Sequence, residues 1–130
     1  MVTNKQLMPY WAEISAQRIL VGEGFTIHPR SGIYAGSGYG VSPYPERTME
    51  VSFSRTNPET LTRTLIFFAA KNWDLLQKSN HYIGGWPLPT RSSVICIDVS
   101  IVTLDERHAK SLQAIHRQHA IHQFAGDGIA

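Results

Sequence analysis

The chain has 130 residues, 42% of them hydrophobic and 17% charged, with a formal net charge of +2. This length predicts a single domain over 1–130, and the composition excludes a disordered chain. The small charge excludes non-specific nucleic-acid binding, which needs a concentrated basic face.

A single cysteine cannot form an internal disulfide, so a reducing cytoplasm is the expected compartment. The N-terminal residues lack a signal-peptide pattern, and no apolar run reaches the ~18 residues needed to span a bilayer. The sequence therefore predicts a cytoplasmic protein with no membrane partner.

Strand patterns fill the first half of the chain. Apolar and polar residues alternate with a period of two, the signal of a half-buried strand. In the second of these strands Phe25 and Ile27 share a face, and Pro29 closes it. Four segments together predict an antiparallel meander: PYWAEIS at 9–15, GFTIHPRSG at 24–32, YGVSP at 39–43 and RTMEVSF at 47–53.

An amphipathic helix is predicted over 58–77. Asn57 is a suitable N-cap and Pro58 suits the first helical position. The glycines and prolines of 79–90, SNHYIGGWPLPT, then predict a loop. The apolar stripe of the helix consists of Leu61, Leu65, Phe68, Ala69 and Leu76.

The segment 94–102, VICIDVSIV, is rich in β-branched residues and predicts a central strand covered on both sides. Thr103 and Glu106 match a capping box, so a helix is expected over 104–118. A last strand is expected at 120–124. The sum is an α+β domain, with a mostly antiparallel sheet and two helices packed on one face.

Five motifs in order along the chain resemble a family of small uncharacterised proteins encoded by bacteriophages, plasmids and actinobacterial mobile elements. Their order and spacing carry the resemblance, which spans roughly residues 10–128. Many of those relatives have an asparagine before the Ala-Ile pair, where this chain has Gln118 and His119, so no role of that asparagine is transferred. The motifs are GFTIHPRSG (24–32), GYGVS (38–42), YIGGW (82–86), IDVS (97–100) and HAIHQF (119–124).

The resemblance implies a protein that interferes with host machinery in the host bacterial cytoplasm. By analogy of size and setting, an anti-defence sponge fits this description. Such a protein withholds a nucleotide-derived signal, for example cyclic ADP-ribose, from the host's immune effector. The resemblance brings no catalytic residues with it.

Aromatic and arginine side chains beside the predicted loops form the candidate binding site. Rings can stack on a nucleobase, and guanidinium groups can hold phosphate bidentately. The alternative is that the rings fill a small core while the arginines solvate the surface. The site is expected between the hairpin loop 30–44 and the loop 81–86, with the ligand-binding residues Arg30, Tyr34, Tyr39, Tyr44, Arg47, Tyr82 and Trp86.

The glycine-rich stretch 32–40, GIYAGSGYG, has two interpretations. Successive backbone N–H groups in such a turn can bind an anion. However, the stretch lacks a P-loop lysine and does not join a strand to a helix. A hairpin tip whose glycines supply positive φ is therefore favoured, and Arg30 and Arg47 are expected to flank it and meet over it.

Other chemistry has weaker support. The histidines His116, His119 and His122 are too few and too spread for a zinc site, so no metal or cofactor is expected. Cys96 fits a small buried hydrophobe better than a nucleophile. Asp98, inside an apolar strand, needs a partner such as a loop N–H or an arginine, with a ligand contact as the weaker alternative.

The sequence favours a non-catalytic binding protein that assembles as a homo-oligomer with pockets near its interface. One alternative is a protein-binding inhibitor or accessory protein of the host defence machinery. Another is a small nucleotide-dependent transferase, for which Glu13, Glu50 and His28 are the candidates to face the arginines.

Overall fold

The computed structural model of the protein describes residues 10–54, 57–88, 91–116 and 122–123. Helices and strands alternate irregularly along the chain, and a 3₁₀ turn at Pro45–Arg47 precedes the fourth strand. In order, the elements are α1 Tyr10–Leu20, β1 Phe25–His28, β2 Ile33–Tyr34, β3 Tyr39–Val41, β4 Met49–Ser52, α2 Pro58–Lys71, α3 Trp73–Leu76, β5 His81–Leu88, β6 Arg91–Thr103, α4 Glu106–His116 and β7 His122–Gln123.

The strands of the described residues form one sheet in the order β2-β1-β5-β6-β3-β7, and β4 also pairs with β6. Each of these pairs is antiparallel. Helices pack against this sheet, so the predicted α+β class with a mostly antiparallel sheet is confirmed. The long strand β6 is the centre of the sheet, because β5 pairs along one edge of it while β4 and β3 share the other.

One face of the sheet, the core face, packs against α1, α2 and α3. Helix α2 contributes four buried members of the predicted stripe, Leu61, Leu65, Phe68 and Ala69, and its first helical residue is Pro58 as expected. The fifth member, Leu76, is buried in α3, because the helix predicted over 58–77 ends at Lys71 and a separate short helix begins at Trp73. Helix α1 adds Trp11, Ala12, Ala16 and Ile19 to the same cluster. The strands contribute Phe25, Ile27, Ile83, Ile95, Ile97 and Val99.

The opposite face, called here the second face, follows from the strand register. Side chains alternate between the two faces of a sheet, and residues directly opposite one another share a face. Gly84 lies opposite both Thr26 and Asp98, while Trp86 lies opposite Cys96. The second face therefore carries Thr26, His28, Tyr82, Gly84, Trp86, Cys96, Asp98 and Ser100.

The strand predicted over 9–15 is wrong, because Tyr10–Leu20 is a helix. Its buried positions Trp11, Ser15, Ala16 and Ile19 repeat at helical spacing. A seven-residue window fits both periods, and only the longer stretch to residue 20 separates a period of 3.6 from a period of two.

The predicted meander is also wrong, because none of its four predicted segments pairs with the next one along the chain. Strands β1 and β2 pair, but β2 and β3 do not pair with each other, and β3 and β4 both pair with β6. The individual strands β1, β3 and β4 are confirmed within the predicted ranges, as is the central strand at 94–102. Local alternation predicts a strand but does not specify which strand it pairs with.

The loop predicted over 79–90 is wrong, because His81–Leu88 is strand β5. Its two adjacent glycines allow neighbouring side chains to pack directly against the strand backbone. A Cβ on Gly85 would overlap the ring of Phe25, and one on Gly84 would press against Asp98. Pro87 lies beyond the last β5 residue that pairs with β1. Glycine and proline here mark tight contacts in a strand rather than a turn.

The helix predicted over 104–118 is confirmed as Glu106–His116, with residues 117 and 118 outside the described ranges. The predicted capping box is present only in part: Thr103 Oγ1 accepts from the backbone N–H of Asp105 at 3.2 Å. Asp105 makes the contact to the first turn of the helix, since its Oδ1 accepts from the backbone N–H of Arg107 at 2.9 Å. Glu106 instead pairs with Lys110 at 3.2 Å. The last predicted strand is present at His122–Gln123, and the rest of 120–124 lies outside the described residues.

Candidate functional site

Two aromatic side chains of β5 lie on the second face. Tyr82 and Trp86 are four residues apart in this strand, so side-chain alternation places both on the same side. Trp86 is 40% exposed, whereas Tyr82 is half-buried. The ring of His28 meets Tyr82 edge-on, with centroids 5.2 Å apart and planes at 70°. The second face thus has an exposed indole at one end and a Tyr–His pair at the other.

Gly84 lies between these two rings. An added Cβ at this position would be 2.7 Å from Oδ1 of Asp98, 3.1 Å from Oγ of Ser100 and 3.4 Å from Cζ3 of Trp86. A carboxyl, a hydroxyl and an indole edge therefore meet directly above the backbone of Gly84. Any side chain at this position would have to displace them.

The carboxyl of Asp98 is buried on the face opposite the hydrophobic core, at 2% exposure. Ser100 Oγ donates to its Oδ1 at 2.9 Å, and the hydroxyl of Ser42 is a second partner. Burial raises the pKa of Asp98, and the bonds from Ser42 and Ser100 oppose that rise. The expected loop N–H or arginine is thus replaced, within the described residues, by neutral hydroxyl groups.

His28 is held as a neutral ring. Its Nδ1 accepts from the backbone N–H of Ser31 at 3.2 Å and lies 2.9 Å from Oγ of Ser31. Burial lowers the pKa of His28, and the nearby guanidinium of Arg30 lowers it further. Because Nδ1 is an acceptor, the proton of the neutral imidazole is on Nε2.

Arg30 lies in the turn between β1 and β2 and is exposed. Its Nη1 donates to the carbonyl oxygen of Gln77 at 2.7 Å. This bond uses one of the five N–H donors of the guanidinium. Arg30 therefore ties the β1–β2 turn to the end of α3 while keeping most of its donor capacity.

Arg47 makes a bidentate ion pair with Asp74, with N–O distances of 2.9 and 3.1 Å. Its Nη1 also donates to Oδ1 of the buried Asn72 at 3.0 Å. The side-chain bond to Arg47 lowers the pKa of Asp74. Arg30 and Arg47, expected to meet over the glycine-rich loop, both reach the segment around α3 instead.

Tyr44 forms a pair with the buried His81 at the start of β5. Its hydroxyl lies 2.8 Å from His81 Nε2, and His81 Nδ1 lies 2.9 Å from the carbonyl oxygen of Ser79. A carbonyl oxygen only accepts, so Nδ1 carries the proton and the Tyr44 hydroxyl donates to Nε2. Burial and the charge of Glu46 raise the pKa of Tyr44, against the effect of Arg47.

Tyr34 and Tyr39 lie apart from the second-face rings. The hydroxyl of Tyr34 is 2.9 Å from Oγ of Ser15 in α1, and the guanidinium carbon of Arg18 lies 3.9 Å from its ring centroid. Tyr39 is in β3, opposite Thr103 at the end of β6. Ser15 and Arg18 were not singled out by the sequence, because their helix was predicted as a strand.

The stretch 32–40 contains β2 and the start of β3, which do not pair with each other, so the hairpin tip predicted over this stretch is wrong. Gly32 and Gly38 have the expected positive φ, at +73° and +91°. A Cβ on Gly38 would also lie 2.6 Å from the carbonyl oxygen of Thr103. The glycine at 38 is required by this close backbone approach. Anion binding by the stretch, the less favoured interpretation of the sequence, stays untested.

The remaining chemical candidates are Cys96, Glu50 and Glu13. Burial, followed by the charges of Asp98 and Glu50, raises the pKa of the Cys96 thiol to about 11. Glu50 lies opposite Cys96 on β4 and is exposed, while Glu13 is half-buried in α1. Among the described residues no group of three His, Cys, Asp or Glu side chains is placed to hold a metal ion.

Comparison of the chain with protein-family models, curated proteins and solved structures finds no match. Within the described ranges, no helix has the length and apolarity needed to cross a membrane. The geometry of the second face is therefore the basis for the functional proposal.

Proposed function

We propose that the chain is a non-catalytic binding protein for a nucleotide-derived ligand, with the base held on the second face between Tyr82 and Trp86. The observation that carries this proposal is the 40% exposed indole of Trp86 beside a buried polar group on the second face. An exposed ring above polar groups offers both a stacking surface and hydrogen bonds, the combination that binds a nucleobase.

The spacing of the rings supports one planar ligand ring between them. The indole edge of Trp86 reaches the position above Gly84, which is two residues from Tyr82 in β5. Two residues of strand span about 6.6 Å. Two carbon–carbon stacking contacts of about 3.5 Å each need nearly the same distance.

An anionic group of the ligand has partners at the Tyr82 end of the face. His28 packs against Tyr82 and presents Nε2–H, and the charge of Arg30 acts on the same imidazole. A guanidinium with unused donors and a neutral imidazole donor suit a phosphate. Arg47 is left out of this proposal, because both of its terminal nitrogens contact Asp74.

One route to catalysis, nucleophilic attack by Cys96, is disfavoured by the state of its thiol. The thiol of Cys96, with a pKa of about 11, keeps its proton at neutral pH. Sequestration of a host signal, suggested by analogy of size and setting with anti-defence sponges, is the biological purpose proposed for this binding.

A second candidate function is inhibition of a host defence protein. Phe67 and Trp73 are exposed on α2 and α3, at 59% and 42%. Exposed aromatic side chains are frequent anchors of protein interfaces. Assembly as a homo-oligomer through such a surface likewise stays a prediction.

The test is retention of nucleotides by purified protein. The protein is incubated with cyclic ADP-ribose isomers and cyclic oligonucleotides, heated, and the released ligand identified by mass spectrometry. Trp86→Ala is expected to weaken retention about tenfold to a hundredfold, because one stacking surface is lost. Trp73→Ala is the matched control, since its indole is equally exposed but on a helix, and it should retain ligand normally.

The outcomes separate the candidates. Release of intact ligand supports binding, whereas release of altered ligand would point to a transferase. Equal retention by Trp86→Ala and the unaltered protein would refute the proposed site. Capture of a host protein that Trp73→Ala abolishes, without nucleotide retention, would favour the inhibitor.

A further inference from the structure

Asp98 has an unusual set of partners for a buried carboxyl group. Its described hydrogen bonds come from the hydroxyls of Ser42 and Ser100, and the carboxylate oxygens accept in both. Buried carboxylates are usually paired with a cation, and neutral donors leave the charge uncompensated. Such a group is suited to accept further N–H donors from a ligand.

The orientation of the two rings turns one edge of a bound base toward this carboxyl group. Side chains stand roughly perpendicular to a sheet. A planar base held between Tyr82 and Trp86 therefore points one edge down at the sheet surface, where Oδ1 of Asp98 and Oγ of Ser100 border the position above Gly84. The edge of the Trp86 indole borders the same position, with Cζ3 3.4 Å from it, so a base edge there contacts both the indole and the carboxyl group.

We propose that Asp98 is the specificity-determining residue of this site, and that it accepts hydrogen bonds from two adjacent N–H donors on the edge of a guanine base. This inference rests on the proposed function. An ionised carboxylate presents acceptors alone, in a planar pair that matches two parallel N–H groups. Guanine offers that pattern at N1–H and its 2-amino group.

Other bases fit this carboxylate less well. The corresponding edge of adenine has one amino donor beside a ring nitrogen acceptor, whose lone pair would face a carboxylate oxygen. Hypoxanthine keeps N1–H but lacks the 2-amino group. The structure therefore orders the three purines as guanine first, hypoxanthine second and adenine last, which narrows the ligand away from adenine-based signals.

The experiment measures binding of GMP, IMP and AMP to the full chain by calorimetry at neutral pH. The unaltered protein is expected to bind GMP about tenfold to a hundredfold more tightly than AMP, the range for one bidentate pair. In Asp98→Asn the amide presents one donor and one acceptor, so the preference for GMP over AMP should shrink to within about threefold. Trp86→Ala should weaken both nucleotides equally.

Each outcome bears on a separate claim. Binding of all three nucleotides with similar affinity overturns the inference and leaves the proposed function standing. A GMP preference that survives in folded Asp98→Asn also overturns the assignment to Asp98. Absence of binding by any nucleotide overturns both, and the series on the unaltered protein needs no variant to fold.

Discussion

Asp98 makes the folding stability of this protein depend on pH. Its carboxyl group is buried with hydroxyl partners, and burial raises its pKa. The folded state therefore holds the proton to a higher pH than the unfolded chain does. Stability falls as the pH rises from about 4, where a free aspartate ionises, through the pKa of the folded group, and is level above it.

Asp98→Asn removes this dependence, because the amide has nearly the same shape and cannot ionise. The free energy of unfolding of the variant, relative to the unaltered protein, is expected to rise between pH 4 and pH 7, by about 1.4 kcal/mol for each unit by which the folded pKa is raised. Urea unfolding at several pH values measures it. Other carboxylates, such as Asp74, contribute equally to the free energy of unfolding of both proteins, so their contributions cancel in the difference. A difference that is constant or falls with pH would contradict the burial effect.

At the level of the elements, the connection from β2 to β3 depends on a close approach between backbones. Gly38 has a φ of +91°, and a Cβ there would lie 2.6 Å from the carbonyl oxygen of Thr103 at the end of β6. Gly36, two residues earlier, has an ordinary φ and open space around its Cα. The glycines of this stretch therefore differ in what the fold requires of them.

Gly38→Ala is expected to lower the free energy of unfolding by at least about 1–2 kcal/mol, the strain of a left-handed backbone alone, with the contact to Thr103 adding to it. Gly36→Ala should be close to neutral and is the matched control. Thermal and urea unfolding of both variants give the comparison. Equal stability of the two would show that β3 can shift away from β6 at little cost.

At the scale of the whole molecule, the sheet is uneven in how firmly its strands are held. Strand β6 pairs with β5 on one side and with β4 and β3 on the other, and its inward residues are at the centre of the core. Strand β2 has two residues, and its Ile33 is exposed. Central, doubly paired strands open only with the global unfolding of a domain, whereas short outer strands open locally.

Amide hydrogen exchange should therefore be slowest over 95–99 in β6 and over the paired part of β5. Exchange in the two-residue outer strands β2 and β7 should be the fastest among the described strands, and β4, paired on one side, should be intermediate. Exchange measured by mass spectrometry or NMR resolves the three groups. Protection of β2 equal to that of β6 would mean that an unseen partner covers this edge.

The sequence was sufficient for those elements whose signals are local and long enough. Asn57 and Pro58 mark the start of α2, and the apolar stripe from Leu61 to Ala69 predicts its buried face without tertiary information. The same holds for β6, where β-branched residues run without interruption. The break at Asn72, which separates α3 from α2, was not predicted. In the shorter stretch at residues 9–15, two periodicities fit equally well, and α1 was missed.

The candidate site could be predicted only in part. Tyr82, Trp86 and Arg30 were named from residue chemistry, and the structure places the two rings on one face. Arg47 was named for the same reason but contacts Asp74, a residue 27 positions away. Asp98 was visible as a charge in an apolar strand, yet its hydroxyl partners and its place beside Gly84 depend on strand register, which no local pattern specifies.

Residue order alone was therefore enough for the α+β class, for α2 and for the central position of β6, because hydrophobic periodicity and caps act between neighbours in the chain. The tertiary structure decided the pairing of β3 and β4 with β6 and the strand character of the Gly84–Gly85 segment. It also decided the grouping of Tyr82, Trp86 and Asp98 on one face. The physical reason is that strand pairing and close backbone contacts join distant residues, and their free energy depends on the packed whole rather than on any local segment.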